Sequence, residues 1–313
     1  MKKCLENLDR ILPVFDKIFN KTLCLQNYLL NDGHCQGLSD ACENLDPSIV
    51  NRMLFNNCGL SGEQMAVLLD GFAKMVDLKA LIYKNNSLNA LSIEKLSPLL
   101  DRRAPNHLLE LQIVDCKMTP TLVELLMDQL LRSSRLKKLN LVKLQHSERS
   151  FEKLGEYVTI SPWLRELDVS WSGVRPIIML RFLQVLKVNT SLQNINLSFN
   201  KLVEKQPLTL TAEQIEAGHT EVALTPFNVQ VMDCFAKMIK YNACLVHLDL
   251  ETTDLEEPFL KFIASLLNKS HQLRVVHLSG NNGLTDETIE WIRARIKGKF
   301  TLPDLQAPPT MKT

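Results

Sequence analysis

The sequence predicts an α/β solenoid, a stack of short strands each followed by an amphipathic helix, and three observations carry that reading. One short phrase returns eight times, beginning at Val50, Leu78, Leu108, Leu136, Leu164, Leu192, Leu245 and Leu273. Its starts are 28, 30, 28, 28, 28, 53 and 28 residues apart, a register that chance does not hold. Between the phrases lie segments whose apolar residues recur three and four apart. A unit of this size cannot bury its apolar face alone, so consecutive units must stack.

Within each phrase apolar residues fall at positions 1, 4 and 6, with Asn or Cys commonly at 9 and another apolar residue at 11. Leu192, Ile195, Leu197, Asn200 and Leu202 show the full pattern. Alternation over positions 4 to 6 is the signature of a short strand with one buried face. An Asn or Cys at position 9 satisfies backbone groups where the chain leaves the strand and no ladder supplies partners. Asn86, Asn200 and Asn281 fit that role, and Cys58 and Cys116 are the alternative, which makes these two cysteines structural rather than reactive. Leu144 and Thr253 depart from the pattern and predict looser turns. Helical spacing follows over 65–75, 122–131, 177–188, 229–240, 260–269 and 288–297. Ser61 with Gln64, and Thr121 with Glu124, match the capping-box pattern at two helix starts.

The register divides the chain. Residues 1–48 carry near-helical apolar spacing interrupted by Pro13, and predict an N-terminal helical cap over the end of the stack. The repeat domain spans 49–297, with an insertion at 203–227 where the period lengthens to 53. Residues 298–313 are rich in proline and polar residues and predict a flexible tail.

Composition narrows the function classes. With 313 residues, 45% hydrophobic and 23% charged, the chain has the balance of a globular protein. Thirty-six Lys and Arg against 35 Asp and Glu argue against a general nucleic-acid binder. No apolar run is long enough to span a membrane, and no secretory signal opens the chain. The eight scattered cysteines then read as reduced thiols in a cytoplasmic protein. Dinucleotide, P-loop, zinc-protease and nucleophile-elbow motifs are missing, so neither catalytic residues nor a cofactor are expected. Cys24, His34, Cys35 and Cys42 form the best metal candidate, but their spacing fits no common zinc module, and no metal is expected. His247 and His277 share one strand position in neighbouring repeats and read as an ordinary exposed face.

The phrases resemble the leucine-rich repeat family, and the 28-residue strand-plus-helix period is similar to its ribonuclease-inhibitor-like subclass, over residues 50 to about 297. The resemblance implies a horseshoe with a concave parallel sheet and convex helices. It also implies a non-catalytic protein-interaction scaffold within a multi-protein complex, as a structural or regulatory subunit of a cytoskeletal or ciliary axonemal assembly. A ubiquitin-ligase substrate adaptor and a ribonuclease-inhibitor-type enzyme inhibitor are the alternatives.

Candidate partner-binding residues follow from the alternation, which turns positions 3, 5 and 7 out of the sheet. The first half of that face carries Arg52, Lys84 and Lys138. The second carries Glu166, Asp168, Asn194, Asn196, His247, Asp249 and Glu251, with no Lys or Arg, which predicts a partner segment bearing basic residues. Trp171 and Phe199 occupy position 8 of consecutive repeats beside the carboxylates, an aromatic pair suited to an interface hot spot.

Overall fold

The computed structural model describes residues 17–101, 108–132, 135–205, 224–270 and 272–296. They form two units, one from residues 1–173 with 191–196 and the other from 174–190 with 197–313. Both are α/β stacks of strand-plus-helix repeats.

The first unit contains β1 (Ile18–Phe19), β2 (Thr22–Gln26), β3 (Arg52–Asn56), β4 (Ala80–Lys84), β5 (Glu110–Val114), β6 (Lys138–Val142), β7 (Glu166–Asp168) and β8 (Asn194–Asn196). Strands β2 to β8 are parallel and follow chain order. One row of the sheet runs Arg52, Ala80, Glu110, Lys138, Glu166, Asn194, so the phrase positions align across strands as the sequence predicts. Helices α1 (Asp32–Cys42), α2 (Gly62–Phe72), α3 (Ala90–Lys95), α4 (Ser97–Leu100), α5 (Pro120–Arg132) and α6 (Glu148–Ile160) form the second layer. Met53, Phe55, Leu81, Tyr83, Leu111, Ile113, Leu139, Leu141 and Leu167 are buried between the layers, and these are positions 4 and 6 of the phrases.

The second unit holds α7 (Pro176–Val188), α8 (Pro226–Tyr241), β9 (His247–Asp249), α9 (Glu257–Leu267), β10 (Val275–His277) and α10 (Asp286–Arg295). Strands β9 and β10 pair in parallel, with Leu248, Leu250, Val276 and Leu278 buried beneath the helices. From β7 onward the strands shorten to three residues. In β7 and β9 the terminal aspartate explains the stop: Asp168 and Asp249 each accept the N–H two residues on, from Ser170 and Glu251. A side chain that captures the next backbone donor competes with the ladder.

Position 9 performs the predicted lacing. The Asn86 side-chain oxygen accepts from the Cys58 and Leu60 N–H groups at 2.9 and 3.2 Å, while its nitrogen donates to the Lys84 carbonyl. Asn281 does the same for Thr253 and Leu255, at 2.9 and 3.0 Å. Cys58 and Cys116 donate to carbonyls of the preceding strand, and burial pushes the Cys116 thiol up to about 11. The turn at Thr253 is not loose: its hydroxyl is buried and donates to the Leu250 carbonyl at 2.8 Å.

Over residues 17–48, where the sequence predicts a helical cap, the chain adds one more strand-plus-helix repeat. β2 pairs with β3 in full register, and β1 folds back on it as an antiparallel edge. The phrase is disguised because Asn20 and Tyr28 stand at its positions 1 and 9. Residues 1–16, including Pro13, lie outside the described residues, as do 206–223 of the insertion and the tail at 297–313. The insertion is closed at its base by Asn228, whose amide accepts from the Glu204 N–H and donates to its carbonyl, both at 3.0 Å. The predicted box at Ser61 forms, but α5 begins at Pro120 with Thr119 as the hydroxyl acceptor. Thr121 therefore lies inside the helix, and Glu124 is turned toward Ser147.

Candidate interaction surface

The sheet face of the first unit does not separate its charges as the sequence suggests. Arg52 donates to Glu110 at 2.6 Å across the intervening β4, and Lys138 pairs with Glu166 at 3.0 Å on the next strand. Two of the three basic candidates and one acidic candidate are thereby neutralised within the sheet. Lys84 makes no ion pair among the described residues. Asp168, besides the Ser170 N–H, accepts from the Asn196 side chain at 3.3 Å. Asn194 sits half-buried beside Glu166 in the row. The face is also drier than alternation alone implies, with Ala80, Ile82 and Gln112 buried.

In the second unit His247 and His277 stack, their ring centroids 4.8 Å apart and their planes 14° from parallel. His277 Nδ1 lies 3.7 Å from a Glu251 oxygen. Burial, then the neighbouring His277, pull His247 below the usual imidazole range, and Asp249 opposes them. His247, Asp249, Glu251 and His277 thus form one polar cluster, but the two histidines do not share a strand position as the sequence suggested: His247 pairs with Val275 and His277 with Asp249, so the rings stack across the diagonal.

The aromatic candidates share a backbone feature that the sequence reading missed. Position 8 is left-handed in every repeat: Asn27, Asn57, Asn85, Asp115, Lys143 and Trp171 in the first unit, with φ from 49° to 58°, and Phe199, Thr252 and Gly280 in the second, from 50° to 70°. Asn and Gly tolerate this conformation, whereas bulky side chains rarely adopt it. The recurring Asn at position 8 was the available signal. Trp171 is 52% exposed and Phe199 37%. Trp171 also borders a groove of about 660 Å³ along the carboxyl ends of β5, β6 and β7, lined by Met118, Leu122, Leu144 and two lysines.

The cysteine and histidine set near the amino end does not assemble. Cys35 and Cys42 are buried, which pushes both thiols up to about 12, and His34 is occupied in capping α1 by accepting from the Asn31 N–H. Among the described residues no group of three His, Cys, Asp or Glu side chains is placed to hold a metal ion. Among the same residues no helix is long and apolar enough to cross a membrane.

No protein-family model and no curated protein matches the chain. Among solved structures, the complex of Rad7 and Elc1 from yeast is similar with a TM-score of 0.51 at 14% identity, covering 90% of this chain and 67% of that one. The likeness is one of fold. It agrees with the α/β solenoid that the repeats and the parallel strands establish.

Proposed function

We propose that the chain is a non-catalytic protein-interaction scaffold of the leucine-rich repeat type, similar to the ribonuclease-inhibitor-like subclass. The observation that carries this reading is Trp171: a large aromatic held half-exposed, on a backbone conformation that bulky residues rarely adopt, at the mouth of a groove. An exposed indole on a rigid element supplies large contact area at low entropic cost, as interface anchors do. In the second unit, Asp249 and Glu251 beside the His pair suit a basic segment of a partner.

The scaffold works in the cytoplasm within a multi-protein complex, as a structural or regulatory subunit of a cytoskeletal or ciliary assembly. A substrate adaptor of a ubiquitin-ligase complex, or an enzyme inhibitor of the ribonuclease-inhibitor type, is the alternative. Affinity capture from native lysate tests the reading, comparing the wild-type chain with a variant carrying Asp168→Lys, Trp171→Ala and Phe199→Ala whose folding is verified by circular dichroism. A stoichiometric partner captured by the wild type and lost from the variant is expected. Axonemal components among the captured proteins support the ciliary role and ligase components the adaptor role; no stoichiometric partner in any lysate overturns the scaffold.

A further inference from the structure

The groove beside Trp171 has a composition and a charge that point to a particular occupant. It lies wholly within the first unit, where Met118 and Leu122 present half-buried apolar side chains and Leu144 forms a buried wall. Leu144 is the apolar departure from the Asn-or-Cys pattern of position 9, where Ser172 and Thr253 depart with hydroxyls, so this repeat places an apolar wall at the turn.

The rim is cationic. Lys117 and Lys143 both border the groove, and the one carboxylate among the lining residues, Asp115, is held by Lys143 at 2.6 Å. Lys117 is exposed and makes no ion pair among the described residues, which leaves one ammonium beside the apolar side chains of a groove that Thr119, Gln145 and Ser172 also line.

The backbone changes character at the same place. Asn27, Asn57 and Asn85 fill the left-handed position in the first three repeats, and over the groove it passes to Asp115, Lys143 and Trp171, with φ of 49°, 57° and 58°. Asp115 tolerates this conformation, whereas Lys143 and Trp171, like Phe199 and Thr252 of the second unit, hold it with side chains that rarely adopt it. Gly173, also left-handed at 64°, lines the groove and has open space where a Cβ would stand.

We propose that this groove docks a short extended segment of a partner protein carrying one large apolar side chain next to an Asp or Glu. The apolar side chain lies against Trp171, Met118 and Leu122, and the carboxylate pairs with Lys117. The assignment rests on the interaction reading above and names the partner chemistry for one of its surfaces. A carboxylate beside Lys117 adds an attraction that a neutral apolar segment lacks, and a basic segment would be repelled by it.

The test is selection of a randomised eight-residue peptide library on the full chain, followed by binding of the selected synthetic peptide. Enriched sequences are expected to join a large apolar residue to Asp or Glu. Their affinity falls about tenfold or more on Trp171→Ala and on Lys117→Glu, and Lys117→Glu shifts the selection toward Lys and Arg. A chain carrying Trp163→Phe and Trp291→Phe leaves Trp171 as the one indole, whose emission shifts to the blue when the peptide binds. Thermal unfolding of each variant separates lost binding from lost folding. Enrichment without acidic residues, binding indifferent to both substitutions, or an unshifted Trp171 emission overturns the groove. Each leaves the scaffold reading intact if lysate capture still returns a partner, whereas an empty capture removes both.

Discussion

Arg52 and Glu110 meet at 2.6 Å across a strand that belongs to neither, with the small side chain of Ala80 between them in the row. The Glu110 side chain is 14% exposed, and Gln112 supplies its second donor. Arg52→Ala leaves that carboxylate largely buried and half-partnered. The expected loss is about 1–3 kcal/mol in equilibrium denaturant unfolding, with Arg52→Lys losing less because a cation is retained. An unchanged midpoint for Arg52→Ala would show that the pair is ornamental.

The asparagine lacing carries a larger penalty. Asn86→Leu keeps the volume at position 9 but strips acceptors from the buried N–H groups of Cys58 and Leu60. Unpaired buried donors cost about 1–3 kcal/mol each, so a loss of about 2–6 kcal/mol is expected for the two, and Asn281→Leu should match it through Thr253 and Leu255. Denaturant unfolding of each variant, with Asn86→Ser as a partial replacement, measures it.

These residues also show where the sequence was readable. Asn86 and Asn281 were legible because a turn that leaves a strand has a fixed need, and the same residue type recurs at the same position to meet it. Lys138 and Glu166 share a register position on adjacent strands, so their pairing was implicit in the aligned phrases. Arg52 and Glu110 share one too, but lie two strands apart, and only the reach of the guanidinium over alanine brings them together. The first repeat was hidden because Asn20 and Tyr28 replace its markers, although Leu23 and Leu25 keep the buried alternation. The groove could not be read at all, since Met118 and Leu122 belong to one repeat and Trp171 to another two strands on, and they converge only once the repeats are stacked.

His146 predicts a pH dependence. It precedes the Ser147 cap of α6, stacks edge-on against Phe151 at 5.3 Å, and its Nε2 is buried without a hydrogen-bond partner among the described residues. Burial holds its pKa down to about 4 from 6.5. In the unfolded chain it takes up its proton near 6.5, so between pH 6.5 and 4 the unfolded state binds more protons than the folded one. Stability attributable to His146 is therefore complete above that window, declines as pH falls through it, and levels off below about pH 4. The expected decline is about 2–3 kcal/mol. Urea unfolding at pH 7.5 and 4.5 should show this difference in the wild type and its absence in His146→Phe.

Trp171 sets stability against binding. At φ 58° its backbone occupies a region that costs a non-glycine residue about 1–2 kcal/mol, while Asn57 and Asn85 hold the equivalent position with a side chain that tolerates it. An indole kept only for the fold would repay that cost in packing, yet half of its surface faces solvent. Trp171→Asn should therefore raise stability by about 0.5–1 kcal/mol while abolishing capture of whatever binds at the groove. The reverse exchange, Asn85→Trp, should lower stability by a similar amount and create no binding. A loss of more than about 1 kcal/mol in Trp171→Asn would instead mean that the buried half of the ring outweighs the backbone strain, and that the aromatic serves the stack rather than a partner.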